Sequence, residues 1–126
     1  MPDKVVDASV LAAIVFDEPR ADEASSLISG VALYAPDLLP YELCNLARNK
    51  SLREPSRARA IAEALEVALP ASLTLVPVPS LELLTIAMES GLTAYDAAYL
   101  WLAGRLDCPL VTFDERLARA ARVTHQ

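Results

Sequence analysis

The chain has 126 residues, with 17 acidic and 11 basic side chains and a formal net charge of −6. That length suffices for one domain with a hydrophobic core, and a hydrophobic content of 54% excludes a disordered polymer. The acidic balance speaks against a protein that coats nucleic acid by bulk charge, and two cysteines with one histidine, His125, speak against a zinc site.

Residues 4–6 read as a short apolar strand that runs straight into Asp7-Ala8-Ser9, a helix start. The helix continues over 10–16 and stops near Pro19. A second helix over 21–29 is closed by Gly30, the residue favoured just past a helix end. A strand at 31–34 and a Pro36-Asp37 turn follow, and Pro40 suits the first turn of a helix over 41–50. Pro55 and Ser56 open a helix over 57–69, with Ile61, Leu65 and Ala68 at helical spacing. Residues 73–76 are β-like. Ser80 is expected to cap a helix carrying Leu81, Leu84 and Met88, which ends at Gly91. The next helix is apolar on every side apart from Asp96. A strand at 110–112, a helix over 114–121 and an edge strand at Val123-Thr124 complete the order.

Short apolar strands alternating with helices predict right-handed βαβ crossovers and a mainly parallel sheet of roughly five strands, covered on both faces. No repeat, low-complexity run or linker divides the chain, so residues 1–126 are expected to form a single α/β domain. Asp7 interrupts the first apolar run and Asp17-Glu18 follow it, a poor pattern for a signal peptide. The longest uncharged stretch, residues 67–79, is broken by three prolines and is too short to span a bilayer. A cytoplasmic protein is expected. Cys44 and Cys108 lie in apolar surroundings and are expected to be small buried thiols.

Asp96 is the anomaly. A helix apolar all round is normally buried, and a lone buried carboxylate is costly unless paired, protonated or bound to a metal. Three other acids stand where open parallel sheets bind ligands, beyond the carboxyl ends of the strands. Asp7 follows the first strand, Asp114 follows the strand at 110–112, and Glu42 shares with Asp96 a place in a helix's first turn. Each has a plain explanation. Asp7 and Asp114 suit helix N-caps, Glu42 complements a helix dipole, and Thr93-Ala94-Tyr95-Asp96 has capping-box spacing. If the four converge, their repulsion raises their pKa values and calls for a cation. An all-oxygen donor set selects a hard ion such as Mg²⁺ or Mn²⁺, which can activate water and neutralise charge during phosphodiester hydrolysis.

At these residues the chain resembles the PIN-domain family, and within it the VapC-type toxins of toxin–antitoxin systems. The matching segments are VVDASVLAAIVFDEP, PYELCNLARNK, LTAYDAAYLWLAGRL and CPLVTFDERLARAA, which occur in the family's order over nearly the whole chain. The resemblance implies a three-layer α/β/α sandwich and a Mg²⁺-dependent endoribonuclease in which Mn²⁺ can substitute. It implies a metal site at Asp7, Glu42, Asp96 and Asp114; within it, Asp7 and Asp96 are expected as direct ligands, and Glu42 and Asp114 directly or through water. Ser9, Asn45 and Thr112 match supporting positions, and Asn45 shares a helix face with Glu42. A homodimer, an RNA substrate and a cognate VapB-like antitoxin are implied as well; no membrane association is expected from the hydropathy. The alternative is a non-catalytic PIN-like module that engages antitoxin or RNA through the same acidic pocket.

Five of the 11 cations, Arg48, Lys50, Arg53, Arg57 and Arg59, fall close together in sequence. They read either as a solvated helical face or as a surface for phosphates, with Arg48, Lys50 and Arg53 as candidate RNA contacts. Tyr95, Tyr99 and Trp101 are expected in the core or at a dimer interface rather than as a base-stacking platform. A phosphoacceptor receiver is excluded because no lysine follows Lys50. A haloacid-dehalogenase-type phosphatase is excluded because position 9, two residues after Asp7, is Ser rather than Asp.

Overall fold

The computed structural model describes residues 3–124; His125 lies outside them. The elements are β1 (Asp3–Val6), α1 (Ala8–Val15), α2 (Ala21–Ile28), β2 (Ala32–Pro36), α3 (Leu39–Arg53), a 3-10 turn (Pro55–Arg57), α4 (Ala58–Glu66), β3 (Leu73–Val76), α5 (Ser80–Ser90), α6 (Ala94–Leu106), β4 (Leu110–Val111) and α7 (Glu115–Thr124). Every strand pair is parallel, in the order β3-β2-β1-β4. Val5 pairs with Tyr34 on one side and Leu110 on the other, so β1 is an interior strand. Val5 and Val6 are fully buried, as expected of a strand covered on both faces.

The order of the strands fixes the layers. The chain steps from β1 to β2 to β3, then returns across the sheet to β4. Right-handed crossovers therefore place α1–α4 on one face and α5–α6 on the other. The helix contacts agree: α3 meets α1 and α4, whereas α6 meets α5 and α7. The winding reverses between β1 and β4, and ligands of such sheets bind beyond the strand ends at that point.

Helix α6 lies against β1 and β2 with α5 and α7 beside it. Being enclosed on several sides explains why it is apolar all round; Ala97, Ala98, Tyr99, Leu100, Leu102 and Ala103 are all buried. Helix α3 turns Leu39, Leu43 and Ala47 inward and ends at Arg53; its cap Glu54, before Pro55, leaves the helical conformation as the steric restriction on a pre-proline residue favours. Gly91 closes α5 with φ +73°, a left-handed conformation that strains residues carrying a Cβ.

Several expectations change. Among the described residues the sheet has four strands rather than five. Val123-Thr124 belongs to the end of α7, since neither Gly nor Pro interrupts the helix after Asp114. Cys108 is buried but Cys44 is exposed, because it lies on α3 beside the core face rather than on it. Ser80 is the first helical residue of α5; the cap is Pro79 and makes no side-chain bond. Helix α5 buries none of its residues, and Leu81, Leu84 and Met88 form an exposed apolar row. Among the described residues no helix is long and apolar enough to cross a membrane.

Candidate active site

Asp7 leaves the end of β1 at the reversal point, and its side chain is buried. It stands at the N-cap of α1 yet makes no capping bond. Its Oδ2 instead accepts hydrogen bonds from Ser9 Oγ (2.9 Å) and from Thr112 Oγ1 (2.7 Å), which stands just past β4. Both hydroxyls are themselves fixed. Ser9 Oγ accepts from the Phe113 amide (3.1 Å) and Thr112 Oγ1 from the Asp114 amide (3.0 Å). The two strand ends are thus tied together around one carboxylate.

Asp114 does cap its helix: Oδ1 accepts from the Leu117 amide at 2.9 Å. Thr93 caps α6 by accepting from the Asp96 amide at 3.3 Å. Asp96 is half-buried rather than enclosed, and its carboxyl is held above the usual range by burial and by the charges of Asp114 and Asp7. The Arg116 guanidinium opposes that rise, so the chain does offer Asp96 a partial partner. Glu42, in the first turn of α3, has its carboxyl pushed up to about 7, chiefly by burial and then by Asp7 and Asp96. The short bond that Tyr99 Oη donates to Glu42 Oε1 (2.5 Å) works against that rise. Burial and the Glu42 charge push the Tyr99 phenol upward in turn, so it stays protonated as the donor.

All four acids line one cavity of about 950 Å³, together with Ser9 and Asn45. Thr112 supports it through Asp7. Among the described residues, no three of the Asp, Glu, His or Cys side chains form a group compact enough to hold a metal by themselves. They share a cavity and feel one another's charge without closing on one point. An all-carboxylate set of this kind fits a hard cation such as Mg²⁺, which keeps several waters between itself and the protein.

The basic residues divide. Lys50 and Arg53 line the cavity. Arg48 does not; its Nη1 donates to Asn49 Oδ1 (3.0 Å) on the exposed side of α3. Arg57 and Arg59 form exposed ion pairs with Glu54 and Glu63 and belong to a solvated face. Lys50 is paired with Glu18, another lining residue. Arg20 also lines the cavity; its guanidinium lies 3.6 Å from the Phe113 ring centroid and forms a two-bond pair with Glu23. Sequence reasoning missed Arg20, Glu18 and the link from Tyr99 to Glu42. Tyr99 is fully buried in the core as expected, whereas Tyr95 is exposed at the cavity rather than in the core. Trp101 is half-buried and donates to Glu82 at 2.7 Å.

The raised Glu42 pKa fixes a sign for stability. Glu42 would titrate near 4.5 in the unfolded chain and near 7 in the folded one. Between those values the folded state holds a proton that the unfolded state has released, so stability falls as pH rises. The full shift corresponds to roughly 3 kcal/mol, reduced by the group's partial exposure to about 1–2 kcal/mol. Urea unfolding in EDTA should give a lower midpoint at pH 7.5 than at pH 5; a midpoint that rises over that interval would contradict the assignment.

The profile described as PIN domain matches residues 4–123. The chain belongs to the PIN-domain family. This PIN domain is 33% identical over 119 residues to Ribonuclease VapC3 of Pyrobaculum aerophilum, covering 90% of this chain and 91% of that protein. Ribonuclease VapC9 of Mycobacterium tuberculosis is also 33% identical, over 114 residues, covering 90% of this chain and 87% of its own length. In three dimensions the PIN domain resembles the crystal structure of PAE2754 from Pyrobaculum aerophilum, with a TM-score of 0.74 and 28% identity. That likeness covers 96% of this chain and 87% of the other.

Proposed function

We propose that this PIN domain is a divalent-metal-dependent endoribonuclease, the toxin of a toxin–antitoxin pair whose antitoxin is VapB-like. The single observation that carries this reading is the gathering of Asp7, Glu42, Asp96 and Asp114 around one cavity at the sheet's reversal point. Relatives named as VapC ribonucleases support it.

In this reading Asp7 and Asp96 would hold Mg²⁺ or Mn²⁺ directly, and Glu42 and Asp114 would do so directly or through water. When bound, the ion lowers the pKa of water and neutralises charge on a reacting phosphodiester. The chain's own residues do the rest. Ser9 and Thr112 fix the Asp7 carboxylate through hydrogen bonds to Oδ2. Glu42, held at the cavity by the Tyr99 hydroxyl, is placed to take the proton of an attacking water. Lys50, Arg53 and Arg20 line the approach and draw the RNA backbone toward it.

Purified protein freed of any partner should cleave RNA with Mn²⁺ and stop with EDTA. Mn²⁺ should also raise the thermal midpoint more at pH 7.5 than at pH 5, because protonated carboxyls do not bind it. Partner binding without turnover or metal-dependent stabilisation would favour the binding-module alternative.

We further propose a homodimer formed through α5, where Leu81, Leu84 and Met88 are 77%, 58% and 77% exposed on one helical face. Sedimentation should show a dimer, and Leu84→Asp should convert it to a monomer with an unchanged far-ultraviolet circular dichroism spectrum. A monomeric parent protein would contradict this.

A further inference from the structure

Two tyrosines remain without a role. Tyr41 is 79% exposed and Tyr95 65% exposed, yet both line the carboxylate cavity. Each stands immediately before an acid in the first turn of a helix: Tyr41 before Glu42 on α3, and Tyr95 before Asp96 on α6. Among the described residues neither joins the core cluster, and neither hydroxyl has a hydrogen-bond partner. An aromatic ring held bare on a rigid helix turn presents a large contact surface and loses little side-chain freedom on binding. Here two such rings accompany two of the four acids and share their cavity with Lys50 and Arg53. Acids for a phosphodiester, cations for backbone phosphates and bare ring faces together match an unpaired polynucleotide, whose bases offer π-faces that a duplex hides.

We propose that Tyr41 and Tyr95 are base-stacking platforms that grip unpaired RNA bases on either side of the acidic pocket. This rests on the ribonuclease reading, and it adds the residues that select single-stranded substrate. A protein partner covering the two rings is the competing occupant. The proposed antitoxin would reach the same pocket; the rings' place beside the acids and Arg53 favours the bases of a bound RNA, and the base-free oligomer below separates the two.

The test measures binding apart from cleavage. In an Asp7→Asn background with Mg²⁺, a labelled single-stranded oligoribonucleotide is titrated and followed by fluorescence anisotropy. Tyr41→Ala and Tyr95→Ala should each weaken binding about 5- to 150-fold, whereas the Phe replacements should leave it nearly unchanged. An oligomer of the same length with its bases removed should bind weakly to the background protein, and the Ala replacements should then cause no further loss. A duplex of the same sequence should show no dependence on either tyrosine. Both side chains are exposed, so thermal midpoints should stay within a degree or two of the background. Ala variants that bind every oligomer like the background protein overturn the proposal. So does an equal loss on the base-free oligomer, or a change confined to sedimentation behaviour, which would assign the rings to a protein interface. Cleavage by the unaltered chain is scored separately. If it cuts no RNA but base-dependent binding is lost with the tyrosines, the stacking assignment stands and the ribonuclease reading falls.

Discussion

Asp7→Asn is expected to lower RNA cleavage by about 10³-fold, the scale on which loss of one preorganised charge at a reacting centre acts. The same change should leave the metal-free protein at least as stable as the parent. Asp7 is the one buried charged side chain among the described residues, and two hydroxyls donate to its Oδ2. The Asn carbonyl oxygen can accept from the same two hydroxyls, so the tie between the ends of β1 and β4 survives. What disappears is a negative charge that raises the carboxyl pKa values of Glu42 and Asp96. Both should fall, and the pH dependence of stability in EDTA should flatten. Ser9→Ala and Thr112→Val act less directly and should cost about 10- to 100-fold by loosening the Asp7 carboxylate. Cleavage rates against Mn²⁺ concentration, with thermal midpoints in EDTA, check the set. Undiminished cleavage by Asp7→Asn would sink the proposed role of the pocket.

Tyr99 carries the second large effect. Its ring is fully buried, and its hydroxyl is the donor to Glu42 Oε1. Tyr99→Phe keeps the packing and removes only the donor. That bond favours the charged carboxylate, so its loss raises the Glu42 pKa further above 7. Without the donor the Glu42 carboxylate is no longer held in place, and cleavage should drop by about 10- to 100-fold, the scale for lost support of a ligand. The proton effect is read in the metal-free protein: in EDTA the pH–stability profile set by Glu42 should move alkaline. A profile of unchanged position would show that Tyr99 does not position Glu42. Tyr99→Ala is a different experiment. It opens a cavity beneath α6 at a cost of about 3–5 kcal/mol, a large share of the roughly 5–15 kcal/mol that holds a domain together.

The four acids were legible because each sits at a boundary that sequence marks well: a strand end, a proline-opened helix or a threonine cap. Their convergence came from topology, since parallel strands separated by helices bring their carboxyl ends to one edge. The division among the cations was legible too, though the count of basic residues hid it. From Glu42, steps of three, four, eight and eleven residues reach Asn45, Leu46, Lys50 and Arg53, all on the cavity side of α3. Arg48 and Cys44 fall off that stripe and also off the buried face of Leu39, Leu43 and Ala47, so both meet solvent. By contrast, nothing local in the sequence joins Tyr99 to Glu42, 57 residues apart, or Arg20 to Phe113. Those contacts exist only once the crossovers have packed. The apolar surroundings that correctly marked Tyr99 as core gave no sign that its hydroxyl had a task.

The interior position of β1 has a consequence for the order in which the molecule comes into being. β1, β2 and β3 can pair as soon as they are made, but β4 must slot against the far edge of β1 after every other strand. Until then Asp7 lacks its Thr112 bond, and Asp114 is missing from the pocket. A growing chain therefore holds three of its four acids and no closed site. For a protein proposed to cut RNA, that sequence of events spares the message from which it is being read, because the ability to cut arrives only when the last strand docks.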